Sequence, residues 1–408
     1  MNRVVVTGLG CITPVGNNAA DFWASLIAGR HGFGTITKFD ASDMKVRIAA
    51  EVKDFNPELY MEKSSVRKTD LYAQYAIAAA TQAVEESGIV GTVPPERLGV
   101  YIGSGIGGLS TLITETTKML EKGPGRISPF FIPMMIANMA AALVAIKYNA
   151  QGPSLPVVTA CSTATNAIGE AFRAIKFGYA DAIVAGGGEA AVDPLAVGGF
   201  ANMMALSTVN DPDNSSIPFD KRRDGFVMGE GAGVIVLEEY HHAMARNAPI
   251  YCEIKGYGNT CDAYHMTAPH PEGLGGARMI KLALEEAGLA ADEKLYINPH
   301  GTSTPLNDKI ETAAIKLALG EAAYQVMVSS TKSMTGHTLG AAGGIEAIAA
   351  IKALETGVIP PTIGYKEPDP DCDLDYVPNV ARKREIDKAL SLSMGFGGHN
   401  AGVLFTKI

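Results

Sequence analysis

Residues 157–178 read VVTACSTATNAIGEAFRAIKFG, and how they are parsed decides the architecture. Val157, Val158 and Thr159 have the β-branched character of a strand. From Ser162 to Ile175 the chain is rich in alanine and free of proline, which predicts a helix stopping at Gly178. Cys161 stands at the handover. A lone intracellular cysteine is commonly a small apolar filler. At a helix start it also meets free N–H groups and the positive end of the dipole, which favour a thiolate nucleophile.

The pattern returns at residues 328–357, VSSTKSMTGHTLGAAGGIEAIAAIKALETG. Both stretches run strand, small polar turn, Gly/Ala-rich helix, Ile-Lys and a closing glycine. This reads as an internal duplication, although any α/β protein repeats strand, turn and helix, so pattern alone leaves both readings open. Glycine costs about 1 kcal/mol relative to alanine in an exposed helix. A helix as glycine-rich as GHTLGAAGGIEA is therefore expected to be buried against another backbone.

Outward from these two stretches, apolar strands alternate with alanine-rich helices. NRVVVTGLG, RLGVYIGSG, SLPVVTAC, DAIVAGGGE and GAGVIVLEE predict strands; TDLYAQYAIAAATQAVEESG and IANMAAALVAIKYN predict helices. IYCEIKGYG, ARMIKLALEEAG, KLYINPHGTSTP and KIETAAIKLALG continue the alternation, the mark of a layered α/β protein. A join is expected within HHAMARNAPIYCEIKGYG, dividing the chain into halves 1–248 and 249–408.

Bulk properties narrow the function. No apolar run is long enough to span a membrane, and the start enters a strand at once without a targeting segment. Cysteines 11, 161, 252, 261 and 372 are few, odd in number and unclustered, which predicts a reducing cytoplasm. A net charge of −9 argues against general nucleic-acid binding. The cysteines and His241, His242, His265 and His270 show no metal-ligand spacing, so no metal is expected. GSGIGG at 103–108 matches a dinucleotide fingerprint, but lacks the short βαβ unit and the acidic residue that give it meaning.

Three further stretches hold candidate chemistry. NPHGTSTPLND places His300 at a strand's carboxyl end in a turn of hydroxyl residues. SSTKSMTGHTLGAAGG places Lys332 and His337 around the second glycine-rich helix start. Singly, each histidine reads more readily as structural or exposed; together with Cys161 they form a candidate acyl-transfer site. In SLSMGFGGHNAGVLF, Gly395, Gly397 and Gly398 surround Phe396 and free the backbone to aim N–H groups at an oxyanion.

With these residues in place, the chain resembles the elongating β-ketoacyl-acyl-carrier-protein synthases. The stretches that carry the resemblance are VVTGLGCITPVG, GSGIGG, ISPFFIP, TACSTATNAIG, PFDKRRDGFVMGEGAG, DAYHMTAPHP, NPHGTSTPLND, STKSMTGHTLGAAGG and MGFGGHNA, in order over nearly the whole chain. The resemblance implies a thiolase-like duplicated fold in five α-β-α-β-α layers, and a homodimer. It implies decarboxylative condensation of malonyl-carrier with a cysteine-bound acyl chain. Substrates would ride on the phosphopantetheine of an acyl carrier protein, with no cofactor of the chain's own. Cys161 matches the nucleophile, His300 and His337 the paired histidines, Lys332 and Glu346 the supporting lysine and its acidic partner, and Phe396 the gate. Thr302 and Thr304 match the pantetheine-binding hydroxyls. Ile106 and Phe200 match acyl-pocket positions, with Phe131 reaching across the dimer. Met203 and Met204 stand where such proteins carry a carrier-facing arginine, so Lys63, Arg67 and Lys68 become the docking candidates. Two alternatives remain: a non-catalytic partner subunit that sets chain length, and a thioester hydrolase using the same cysteine.

Overall fold

The computed structural model describes residues 1–408. Nine strands form one hydrogen-bonded ladder: β1 (Val4–Ile12), β2 (Leu98–Gly103), β3 (Ala182–Glu189), β4 (Gly231–Glu239), β5 (Cys252–Cys261), β6 (Leu295–Asn298), β7 (Met327–Val328), β8 (Lys388–Gly395) and β9 (His399–Thr406). Their spatial order is β2-β3-β4-β1-β5-β9-β8-β6-β7. The helices that matter for the site are α1 (Leu71–Ser87), α2 (Thr163–Lys176), α3 (Leu274–Ala287), α4 (Pro305–Leu319) and α5 (Ala342–Thr356).

The ladder is two half-sheets joined at β1 and β5 by the antiparallel pairs Val4–Ile254, Val5–Glu253 and Val6–Cys252. Each half repeats one plan: a first strand, an outer helix, parallel strands around a central helix, and an antiparallel pair. Helix α1 covers the outer face of β1, β3 and β4, while α3 covers β5 and β9 and packs on α4. Helices α2 and α5 touch both half-sheets and each other. The resulting stack is helix, sheet, paired central helices, sheet, helix. The join expected at 248/249 lies between the helix Tyr240–Ala245 and β5.

Glycine is what lets the central helices meet. A Cβ on Gly343 would stand 2.0 Å from Thr165 Oγ1, and one on Gly344 2.1 Å from the carbonyl oxygen of Gly233 in β4. The residues are small because another backbone occupies the place of a side chain.

One expected strand is absent. Residues 157–159 run beside β2 but make no ladder; the contact is a single parallel bridge, Val100–Ser154. Leu155 donates its N–H to Val100 (3.1 Å), and backbone bonding to β2 stops there. The chain nonetheless occupies the position that β7 fills in the other half, one step before a central helix.

Candidate active site

Cys161 lies in a 3₁₀ turn, Ala160–Ser162, that feeds straight into α2. Ala160 has φ of +51°, an uncommon conformation for a residue with a Cβ. The turn is pinned on both sides: Thr159 N–H donates to Thr163 Oγ1 (2.9 Å), and the Ser162 hydroxyl donates to His399 O (2.9 Å). The N–H groups of Phe396 and of Cys161 itself are directed at the sulfur. Between β8 and β9, Gly397 and Gly398 have φ of +86° and +76°, which lets the Phe396 turn fold down onto Cys161.

The histidines arrive from the other half. His300 follows β6, and the buried carboxylate of Glu311 on α4 accepts the N–H of His300 (2.6 Å) and of Gly301 (2.7 Å). Ser303, at φ +69°, turns its hydroxyl away to accept Ile217 N–H. That leaves Thr302 and Thr304 facing one way, with their Oγ1 atoms 3.0 Å apart. His337 follows Gly336 (φ +67°), and its backbone pairs with Val227 O (2.8 Å) and Gly229 N–H (2.9 Å). The segment GFVMGEG of the first half thus holds a histidine of the second.

The rings of His300 and His337 lie 5.1 Å apart, edge to face. Both Nδ1 atoms are sealed in without a partner, leaving Nε2 as the nitrogen that reaches the cavity. Burial, reinforced by the Lys332 ammonium, holds both imidazoles well below their ordinary pKa, so each is uncharged at neutral pH. Lys332 is itself buried and hydrogen-bonds Glu346 on α5, whose carboxyl burial pushes up against that pull. Neither of the two lines the cavity.

That cavity measures about 400 Å³. Cys161, His300, His337, Thr302, Thr304, Phe200 and Phe396 all line it, and Met203 and Met204 stand exposed at its mouth. The Phe200 and Phe396 rings lie 6.3 Å apart. Asn400 also lines it and donates to Asp262 Oδ1 (2.8 Å), tying the Phe396 turn to the chain after β5.

The family model for the β-ketoacyl synthase N-terminal domain matches residues 1–243, and that for its C-terminal domain residues 251–366. The chain belongs to the β-ketoacyl synthase family. It is 53% identical over 407 residues to 3-oxoacyl-[acyl-carrier-protein] synthase 2 of Synechocystis sp., covering 99% of this chain and 98% of that one. It is 50% identical to the protein of that name in Coxiella burnetii, over 100% and 99% of the two chains. Among solved structures, a β-ketoacyl synthase from Burkholderia phymatum superposes with a TM-score of 0.92 at 34% identity, covering both chains fully. A ketosynthase solved with a type II polyketide acyl-carrier protein gives 0.92 at 35%, again over both full chains.

In this β-ketoacyl synthase some expected residues fall elsewhere. Neither Ile106 nor Phe131 lines the cavity of the single chain: Ile106 is exposed after β2, held by its backbone, and Phe131, expected to reach across a dimer, begins the short helix Phe131–Met135. Lys63, Arg67 and Lys68, the docking candidates, are exposed at the surface, where the Lys68 ammonium sits over the Phe130 ring. The resting charge of Cys161 differs from expectation as well. Burial pushes its thiol up to about 12, outweighing Lys332 and the two N–H groups that pull it down. Burial at the base of the cavity removes most of the water that would stabilise an anion.

Two residues escaped the sequence reading: Glu311, which seats the His300 loop, and Glu189, fully buried at the end of β3. Each had a signal. Glu189 closes an unbroken apolar run, and Glu311 lies one turn from Ala314 and Ile315 on the inward face of α4.

Proposed function

We propose that this chain is a 3-oxoacyl-[acyl-carrier-protein] synthase that lengthens acyl chains by two carbons through decarboxylative condensation. The observation that carries it is the convergence of one thiol and two uncharged imidazoles on one cavity, beneath two N–H groups aimed at the sulfur. In the first half-reaction the Cys161 sulfur attacks an acyl-carrier thioester. The thioester bond to the carrier breaks, the acyl–sulfur bond to Cys161 forms, and the thiol proton leaves with the pantetheine sulfur. The N–H groups of Cys161 and Phe396 receive the oxyanion.

Malonyl-carrier enters next, with Thr302 and Thr304 along its pantetheine. His300 and His337 donate from Nε2 to the thioester carbonyl, and loss of CO₂ leaves an enolate that they stabilise. The enolate carbon attacks acyl-Cys161; the sulfur departs and regains a proton from solvent, completing the 3-oxoacyl product. Decarboxylation generates the carbanion, so no strong general base is needed, in keeping with a wall that holds imidazoles and hydroxyls around the thiol.

The chain requires no cofactor of its own in this reading, since both substrates arrive on the phosphopantetheine of an acyl carrier protein. No helix is long and apolar enough to cross a membrane. We place the protein in the cytoplasm, acting as a homodimer. Exposed Ile106, Phe130, Ile132, Leu155 and Val158 would supply apolar surface for a second copy to cover. Docking of an acidic carrier falls to Lys63, Arg67 and Lys68.

Incubation with acyl-carrier protein followed by mass spectrometry tests the reading. An acyl group on Cys161, and a chain two carbons longer once malonyl-carrier is added, are expected. Acylation elsewhere, or free fatty acid as the only product, refutes it. A chain-length partner subunit would do neither step alone.

A further inference from the structure

Glu189 has no part in the scheme above, yet its carboxylate is the most heavily bonded group near the site. Oε1 accepts from the Ser104 hydroxyl (2.8 Å) and the Ile106 N–H (3.2 Å). Oε2 accepts from the N–H groups of Gly105 (2.8 Å) and Gly340 (3.0 Å). The Ser104 hydroxyl donates to Glu189 and its oxygen accepts Gly107 N–H at 3.0 Å. The four donors favour the ionised carboxylate, which only accepts, against the burial that pushes its pKa up.

Three of these donors lie in the loop after β2; the fourth lies in the turn running from His337 into α5. Both strands of backbone reach the carboxylate only because they lack side chains. A Cβ on Gly340 would stand 2.3 Å from Gly105 N and 2.7 Å from Glu189 Oε2, and one on Gly105 2.7 Å from the same oxygen. The loop and the turn both border the nucleophile. The Cβ direction of Gly105 meets Ala160 O at 3.5 Å, and Leu339 lines the cavity beside Cys161.

We infer that Glu189 is a positioning residue that locks the His337 turn of one half to the Ser104–Ile106 loop of the other. It thereby sets the registration between the acyl-bearing sulfur and the imidazole that acts on the malonyl thioester. The inference rests on the condensing reading proposed above. Acyl transfer needs only Cys161 and its N–H groups, whereas condensation needs the sulfur and His337 in register, so loosening the clamp separates the two steps. The carboxylate's charge also counts: with Lys332, it is one of the two ionic groups acting on Cys161, and it pushes the thiol up while Lys332 pulls it down.

Glu189→Gln in the full-length protein is the test, since it keeps one acceptor and turns an NH₂ toward an N–H donor. Single-turnover acylation of Cys161 is expected to stay within about threefold of wild type. Condensation is expected to fall about 10–100-fold, the scale of an ångström's misplacement. The pH profile for alkylation of Cys161 by iodoacetamide is expected to move to lower pH, because a negative neighbour has been removed. Undiminished condensation overturns the inference, as does an equal loss in both steps with an unmoved alkylation profile. If the glutamine variant does not fold, Ser104→Ala removes one donor. It should lower condensation about tenfold while sparing acylation, on the scale of one hydrogen bond to a charged acceptor, and unchanged condensation overturns the inference. A wild-type chain that does not condense sinks the condensing reading and this inference with it. A condensing wild type beside an unaffected variant sinks this inference alone.

Discussion

Gly343→Ala should destabilise this protein, although the same change in an ordinary helix stabilises by about 1 kcal/mol. The new methyl would stand 2.0 Å from Thr165 Oγ1 and 2.7 Å from the Thr165 backbone nitrogen. Rotation of Thr165 relieves the first contact, but its hydroxyl is bonded to Ser393 Oγ (2.7 Å) in a buried site. Leaving that pair unmade costs about 1–3 kcal/mol. The contact with the backbone nitrogen yields only if α2 moves, and overpacking of this kind costs about 1–3 kcal/mol more. Against the propensity gain, the net loss is about 1–5 kcal/mol. Because α2 carries Cys161 at its head, acyl transfer should fall as well. The assay is guanidinium denaturation alongside single-turnover acylation. The double variant with Thr165→Ala should recover part of the stability but not all, since the nitrogen remains. A single variant as stable and as active as wild type would refute the close crossing of the two central helices.

Alkylation of Cys161 by iodoacetamide should quicken about tenfold per pH unit from pH 6 to 9 without a plateau. Only the anion reacts, and a thiol pushed up to about 12 is still almost wholly protonated at pH 9; a plateau near neutrality would show a resting thiolate. Cys161→Ser should abolish condensation, while Cys161→Gln should keep malonyl decarboxylation running, as measured by CO₂ release. Glu311→Gln should cut that decarboxylation about 10–100-fold with acyl transfer largely spared, because the loop carrying His300 loses a charge-assisted bond. Charge reversal at Lys63, Arg67 and Lys68 should raise KM for the carrier with kcat unchanged. The effect should shrink in 0.5 M salt; insensitivity to salt would move docking elsewhere.

Much of this was legible beforehand because the chemistry sits where secondary structure changes. Cys161, His300 and His337 each follow a strand or strand-like segment and stand in small-residue turns, and such breaks are visible in a chain read by eye. The duplicated plan was visible for the same reason, since glycine-rich helices make sense only against another backbone. What could not be read was enclosure. Nothing local shows which way Ile106 points: its backbone is fixed by Glu189, a partner more than eighty positions away, and its side chain faces outward from the single chain. The charge state of Cys161 depended likewise on the walls around it, contributed by both halves. The strand expected at 157–159 is absent because backbone bonding to β2 stops at Leu155, and β-branched residues do not by themselves make a ladder.

A sulfur kept protonated is a slow target for oxidants too, because peroxide, like an alkylating agent, is attacked by the anion. Under oxidative stress the first cysteine lost should be Cys261, which lies open at the surface beside the Phe396 turn, and not the one that carries the growing chain. Burial thus protects the nucleophile between turnovers and leaves the arriving thioester as the partner it is placed to meet.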